Sequence, residues 1–315
     1  MPALDLVLVV SERNRGWVLD TICRQIEGHY PGRARVHYGI RSLPAASAFF
    51  FSHYSLFGAC LRRNPLLRLR RTLVFFTHPS HTREEGRKVA RRLAQASAVV
   101  SMSSIHAERL VGDGVPAAKV HVVIPGTDSV RFQPHPRDGA GAVGFCSAYY
   151  QRKDPDRLAA IVAAMPNRRF LLVGKGWPEW SGFSELSGRP NFAYAEPAYD
   201  DYPAQYGAMD VLVSASRLEG GPIPLLEAMM SNVVPVCSRT GFAPDIVDHG
   251  VNGFIFDIDA PVAEICELVE LAYRLETDVR ATVVDRTWER FSAEIHAIAE
   301  APLTSMRARF SARPG

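Results

Sequence analysis

The sequence predicts an α/β protein of two domains, each built on a parallel sheet. Three observations predict it. Short apolar runs of strand length alternate with stretches of helical spacing, the pattern of parallel sheets flanked by helices. The 315 residues suffice for two domains of ordinary size. Gln133-Pro-His-Pro-Arg-Asp-Gly-Ala-Gly141, rich in proline and glycine and without apolar periodicity, reads as the linker between them.

Residues 4–10 are a first strand, and 11–16 a loop carrying Arg13 and Arg15. Apolar residues at 18, 19, 22, 23 and 26 predict a helix over 17–26. Residues 48–53, 72–77, 96–100 and 120–124 are further strands, with a capped helix opening at Ser103. Past the linker, strands are expected over 142–146, 169–173, 191–194 and 209–214. Short helices follow from about 153 and over 200–208. Two longer ones cover 261–276 and 279–300, the last crossing back toward the first domain. The expected units are 1–135, 136–288 and 289–315.

Composition narrows the class. Forty-seven per cent apolar with 22 per cent charged residues marks a globular chain. No apolar run reaches the length of a membrane span. The first ten residues lack a basic start and carry Asp5, so they read as a strand and not as a signal peptide. Five scattered cysteines without a CxxC pair suggest reduced thiols and a cytoplasmic protein. A net charge of +3 gives no argument for nucleic acid.

The most informative stretch is Ser214-Ala-Ser-Arg-Leu-Glu219-Gly-Gly-Pro-Ile-Pro-Leu-Leu-Glu227-Ala-Met-Met. It joins an apolar strand to strong helix formers. Gly220 and Gly221 mark a tight turn, and Pro222 and Pro224 suit a first helical turn. Glu219 is therefore expected at the strand end and Glu227 about one turn into the helix. A helix start offers free amides and a positive dipole end to phosphate. The prolines leave the amides of Gly220, Gly221, Ile223 and Leu225 for that use. A carboxylate on either side accepts from paired sugar hydroxyls. The alternative is a capped helix with two surface glutamates.

This stretch, with Asn232-Val-Val-Pro-Val-Cys-Ser-Arg-Thr-Gly241-Phe-Ala-Pro-Asp and its sequel to Phe254, resembles the E-x7-E signature of retaining glycosyltransferases with the GT-B fold, in the family 4 group. The resemblance implies two Rossmann-like domains facing a cleft and transfer of a sugar from a UDP-, GDP- or ADP-sugar to an acceptor hydroxyl. Glu219 would bind hydroxyls of the transferred sugar and Glu227 those of the ribose. Gly220, Gly221, Pro222 and Ile223 would surround the phosphates. Lys153, beside Arg152, matches the lysine that contacts the donor diphosphate. The family's second phosphate arginine falls near Ser147 and is missing. Gly174, in Val173-Gly-Lys-Gly176, matches a turn that lies against the nucleotide. His78, directly after a strand, matches the histidine facing the sugar, with His81 as its rival and His53 at a comparable strand end. A catalytically silent GT-B subunit is the second reading.

Residues 60–92 carry ten Arg and Lys side chains against Glu84 and Glu85, with interleaved leucines. Such a patch suits an anionic membrane surface or a lipid-linked acceptor; the alternative is a solvated helix face. Neither Asp154-Pro-Asp156 nor Asp257-Ile-Asp259 reads as a metal pair, and no cofactor is expected.

Overall fold

The computed structural model describes residues 4–79 and 83–301. It contains two six-stranded parallel sheets. The first consists of β1 (Leu4–Val10), β2 (Ala34–Tyr38), β3 (Ala46–Phe51), β4 (Arg71–Phe76), β5 (Ala98–Ser101) and β6 (Val120–Val122), in the order 2-1-3-4-5-6. The second consists of β7 (Ala142–Cys146), β8 (Phe170–Val173), β9 (Phe192–Ala195), β10 (Met209–Ser214), β11 (Val234–Ser238) and β12 (Phe254–Phe256), in the order 12-11-10-7-8-9.

The first-domain helices are α1 (Val18–His29), α2 (Tyr54–Arg63), α3 (Arg83–Leu93) and α4 (Ser104–Gly112). The second domain carries α5 (Pro155–Ala164), α6 (Phe183–Ser187), α7 (Tyr202–Gly207), α8 (Ile223–Met230), α9 (Ala243–Ile246) and α10 (Val262–Tyr273). The final helix is α11 (Trp288–Glu300).

Strand residues alternate between the faces of the first sheet. Leu6, Leu8, Phe50 and Phe75 pack with Ile22 and Ile26 of α1 and Phe291 and Ile295 of α11. Val7, Val9, Phe51 and Val74 pack with Phe57 and Leu61 of α2 on the opposite face. Both faces are covered, so the strands are apolar throughout, as a parallel sheet requires. β2 lies at the sheet edge and is only part-buried. Its sequence Ala-Arg-Val-His-Tyr lacks a continuous apolar run, and the sequence reading did not find it.

The expected helix over 279–300 is broken. Val279 and Val283 are fully buried in the second core, around the short turn Arg280–Thr282. Trp288, Phe291 and Ile295 belong to the first core. One periodic stretch thus serves two cores, and the chain crosses between domains where Thr287 bridges Thr127. The Thr287 side chain then caps α11 by accepting from the Arg290 amide.

The domains also touch beside the cleft. Ser104 of α4 donates its amide to Asp245 Oδ2 at 3.0 Å. The Lys175 ammonium lies 4.0 Å from the centre of the Trp17 ring.

Candidate active site

β10 runs through the second core and ends at Ser214. Glu219 lies five residues past the strand and not at its end, because Ala215–Leu218 form a loop first. The Glu219 amide donates to Thr240 Oγ1 at 3.1 Å, which fixes the loop. Pro222 caps the start of α8 and Pro224 lies in its first turn. From Leu225 to Met230 every residue of α8 is buried. A helix apolar all round belongs inside a core, and Glu227 is the single acid on it.

Two of the four amides expected to be open are used within the turn. Ile223 N–H donates to the Gly221 carbonyl and Leu225 N–H to that of Pro222. The glycines also serve a purpose the sequence did not reveal. A Cβ on Gly220 would fall 2.0 Å from the Thr77 carbonyl of the first domain, and one on Gly221 would fall 2.2 Å from Met102. A Cβ on Gly174 would lie 2.1 Å from the Ser147 carbonyl, and its φ is +136°. In this structure, these close approaches are to protein. The Ile223 side chain likewise packs against the first core.

Glu219 is 5% exposed and pairs with Lys153 through Oε1. Lys153 ends the turn Gln151–Lys153, and Asp154 follows with φ +55°. Asp154 is held by Arg157 at 3.3 Å and Arg217 at 2.9 Å, which orients the turn. The Arg152 guanidinium lies 4.6 Å from the Tyr150 ring centre.

A cleft of about 470 Å³ separates the domains here. His53, His78 and Arg13 line it from the first domain. Arg152, Glu219, Gly220 and Gly221 line it from the second. His78 follows β4, and its Nδ1 lies 2.9 Å from Thr77 Oγ1. His53 is 6.4 Å away between ring centres, and its Nδ1 accepts the Ser55 amide that starts α2. Burial, then the neighbouring His78, lowers the His53 pKa to about 4, so this ring is neutral. His81 lies outside the described residues. The two loop arginines separate: Arg13 reaches the cleft, whereas Arg15 stacks 4.0 Å over the Tyr38 ring.

Glu227 is 2% exposed. Its Oε1 accepts from Tyr199 at 2.5 Å and its Oε2 from Tyr206 at 2.9 Å. Burial raises its pKa, and the two phenolic hydrogen bonds oppose that rise. Sequence reasoning missed both tyrosines. It also missed His106, whose Nε2 meets the Glu219 carbonyl across the domain boundary. Among the described residues no cluster of His, Cys, Asp or Glu has the arrangement of a metal site.

Two six-stranded parallel-sheet domains with a cleft between them define the GT-B fold. Residues 140–271, which span most of the second domain, match the family model described as glycosyl transferases group 1. A GDP-mannose-dependent alpha-(1-6)-phosphatidylinositol monomannoside mannosyltransferase of Mycobacterium tuberculosis is 28% identical over 213 residues, covering 58% of this chain and 55% of the relative. The chain thus spans about half the length of that curated relative. The fold matches Anabaena Alr3699/HepE, solved in complex with UDP-glucose, with a TM-score of 0.77 at 16% identity, over 96% of this chain and 100% of the other. It also matches sucrose-phosphate synthase of Thermosynechococcus elongatus, with a TM-score of 0.72 at 15% identity, over 98% and 100%.

Proposed function

We propose that this chain is a retaining glycosyltransferase that moves a sugar from a nucleotide-sugar to an acceptor hydroxyl without a metal ion. One observation carries the reading: Glu219, paired with Lys153, faces His78 across the cleft between the domains. Lys153 and Arg152 would neutralise the leaving diphosphate. Glu219 and His78 would hold the hydroxyls of the transferred sugar, and Glu227 those of the ribose. The bond from the anomeric carbon to the phosphate oxygen breaks as the bond to the acceptor oxygen forms on the same face. The departing phosphate takes the acceptor proton. The protein contributes position and charge, the two effects a preformed cleft supplies best.

The acceptor proposed is lipid-linked. The Mycobacterium relative is named for a phosphatidylinositol mannoside acceptor. In this chain Leu66 and Leu69 are 69% and 79% exposed, and Arg62, Arg63, Arg68 and Arg70 around them are also exposed. That combination suits an anionic membrane surface approached from the cytoplasmic side. No helix among the described residues is long and apolar enough to cross a membrane.

The test is incubation with UDP-, GDP- and ADP-sugars, with nucleotide release and the product anomer read by NMR. Release with a retained anomer, reduced by Glu219→Gln, is expected. Binding of a nucleotide-sugar without any turnover would instead favour a silent GT-B subunit, a reading supported by the absence of a second phosphate arginine near Ser147.

A further inference from the structure

We infer that Tyr199 and Tyr206 divide the control of Glu227: Tyr206 positions the carboxylate, and Tyr199 holds the place of a donor hydroxyl until the donor displaces it. The inference rests on the reading that Glu227 binds the ribose.

The observation is a buried acid with both oxygens already satisfied. A carboxylate inside an apolar helix must have donors. Here the donors are side-chain hydroxyls, the same chemical group that a ribose presents. Glu227 is 2% exposed, so no ribose hydroxyl reaches it while both phenols are in place.

The phenols differ in freedom. Tyr206 is 1% exposed, lies in α7, and packs edge-on against Phe132 at 5.7 Å. Its hydroxyl also meets Cys146 Sγ at 3.3 Å. It has nowhere to go. Tyr199 is 47% exposed and lies in the turn Tyr199–Asp201. Its ring is covered on one side by the Arg131 guanidinium at 4.5 Å, which also pairs with Asp200, and meets the rings of Tyr202 at 5.2 Å and of buried Phe132 at 6.3 Å. A half-exposed turn opens more readily than a fully buried side chain on a core helix. Tyr199 is therefore the phenol that leaves.

Holding the binding-competent form at a fraction of the population lowers apparent affinity by that fraction. Removing the Tyr199 hydroxyl takes away the competing bond and leaves Glu227 short of a donor, so ribonucleotides bind more tightly. Removing the Tyr206 hydroxyl releases the carboxylate from its position, so they bind more weakly. A merely structural role for both would not move the two variants in opposite directions.

The experiment is calorimetric titration of the whole chain with UDP, GDP and ADP. Tyr199→Phe should bind the preferred nucleotide roughly three- to tenfold more tightly than the unaltered protein, and Tyr206→Phe more weakly by a similar factor. The gain in Tyr199→Phe should vanish with the 2′,3′-dideoxynucleotide. Unchanged or weaker binding in Tyr199→Phe overturns the displacement. Glu227→Gln with unaltered binding overturns the ribose reading beneath it, so the two failures are distinguishable. No binding by either the unaltered chain or Tyr199→Phe overturns both.

Discussion

The imidazole of His106, on α4 of the first domain, donates from Nε2 to the main-chain carbonyl of Glu219 in the second, at 2.6 Å. A carbonyl can only accept, so Nε2 carries the proton, and in the neutral ring Nδ1 is the unprotonated nitrogen. Nδ1 is buried without a partner. The bond fixes the loop that carries Glu219 against the first domain, so the acid and His78 keep one separation.

His106→Ala removes this link and the edge contact to Phe76. The loss of a buried hydrogen bond costs about 1–3 kcal/mol. Burial lowers the His106 pKa, as it lowers that of His53 to about 4. Below about pH 6.5 the unfolded chain protonates these rings while the folded chain does not. Their contribution to stability is therefore complete above that pH and declines as the pH falls below it, for His53 down to about 4. Urea unfolding at pH 7 and pH 5 checks this. A double variant, His53→Asn with His106→Gln, should lose less stability between those pH values than the unaltered chain.

The Lys153–Glu219 pair is nearly buried, and taking one partner away leaves the other charge uncompensated. Lys153→Met should cost about 3–5 kcal/mol on that account, read as a lower urea midpoint. Glu219→Gln added to it should restore much of the stability, because the stranded charge is gone. Donor turnover should stay low in both variants. Full turnover in Lys153→Met would remove the lysine from the diphosphate role.

Gly220→Ala places a methyl group where the Thr77 carbonyl is. Backbone on both sides leaves the clash only one relief, a wider gap between the domains. Gly220 lines the cleft but the second sheet is untouched, so nucleotide affinity should fall by much less than turnover. Turnover should fall roughly a hundredfold, the cost of ångström-scale misplacement of reacting groups. Parallel titration and kinetics separate these effects; equal loss in both would place Gly220 in the nucleotide site itself.

The sequence showed most strands, the α8 helix and the spacing of Glu219 and Glu227, because apolar runs, prolines and glycines act locally. It did not show what those side chains meet. Tyr199 reaches Glu227 from 28 residues away and His106 reaches Glu219 from 113. Neither tyrosine nor histidine stands out in a chain with ten of each. Gly220 read as room for a ligand, since a glycine reports that something comes close and not what. The Arg280–Thr282 break was hidden because Val279, Val283 and the α11 residues keep helical spacing while facing different cores.

The surface leucines give the last prediction. Leu66 and Leu69 flank Leu67, which is buried and anchors the turn Pro65–Leu69. Replacing the outer two with serine therefore spares the fold, and the unfolding midpoint should not move. Each exposed leucine that enters a lipid interface gains roughly 1–2 kcal/mol from the area it removes from water. Leu66→Ser with Leu69→Ser should lower partition onto anionic vesicles at least roughly tenfold, largely independent of salt. Arg62→Gln with Arg63→Gln should lower it by a similar amount at low ionic strength, at about 1 kcal/mol for each charge, and much less at high salt. Sedimentation with anionic and neutral vesicles reads both variants. If the unaltered chain stays in the supernatant with either, the surface is a solvated face and the lipid-linked acceptor loses its support from this chain.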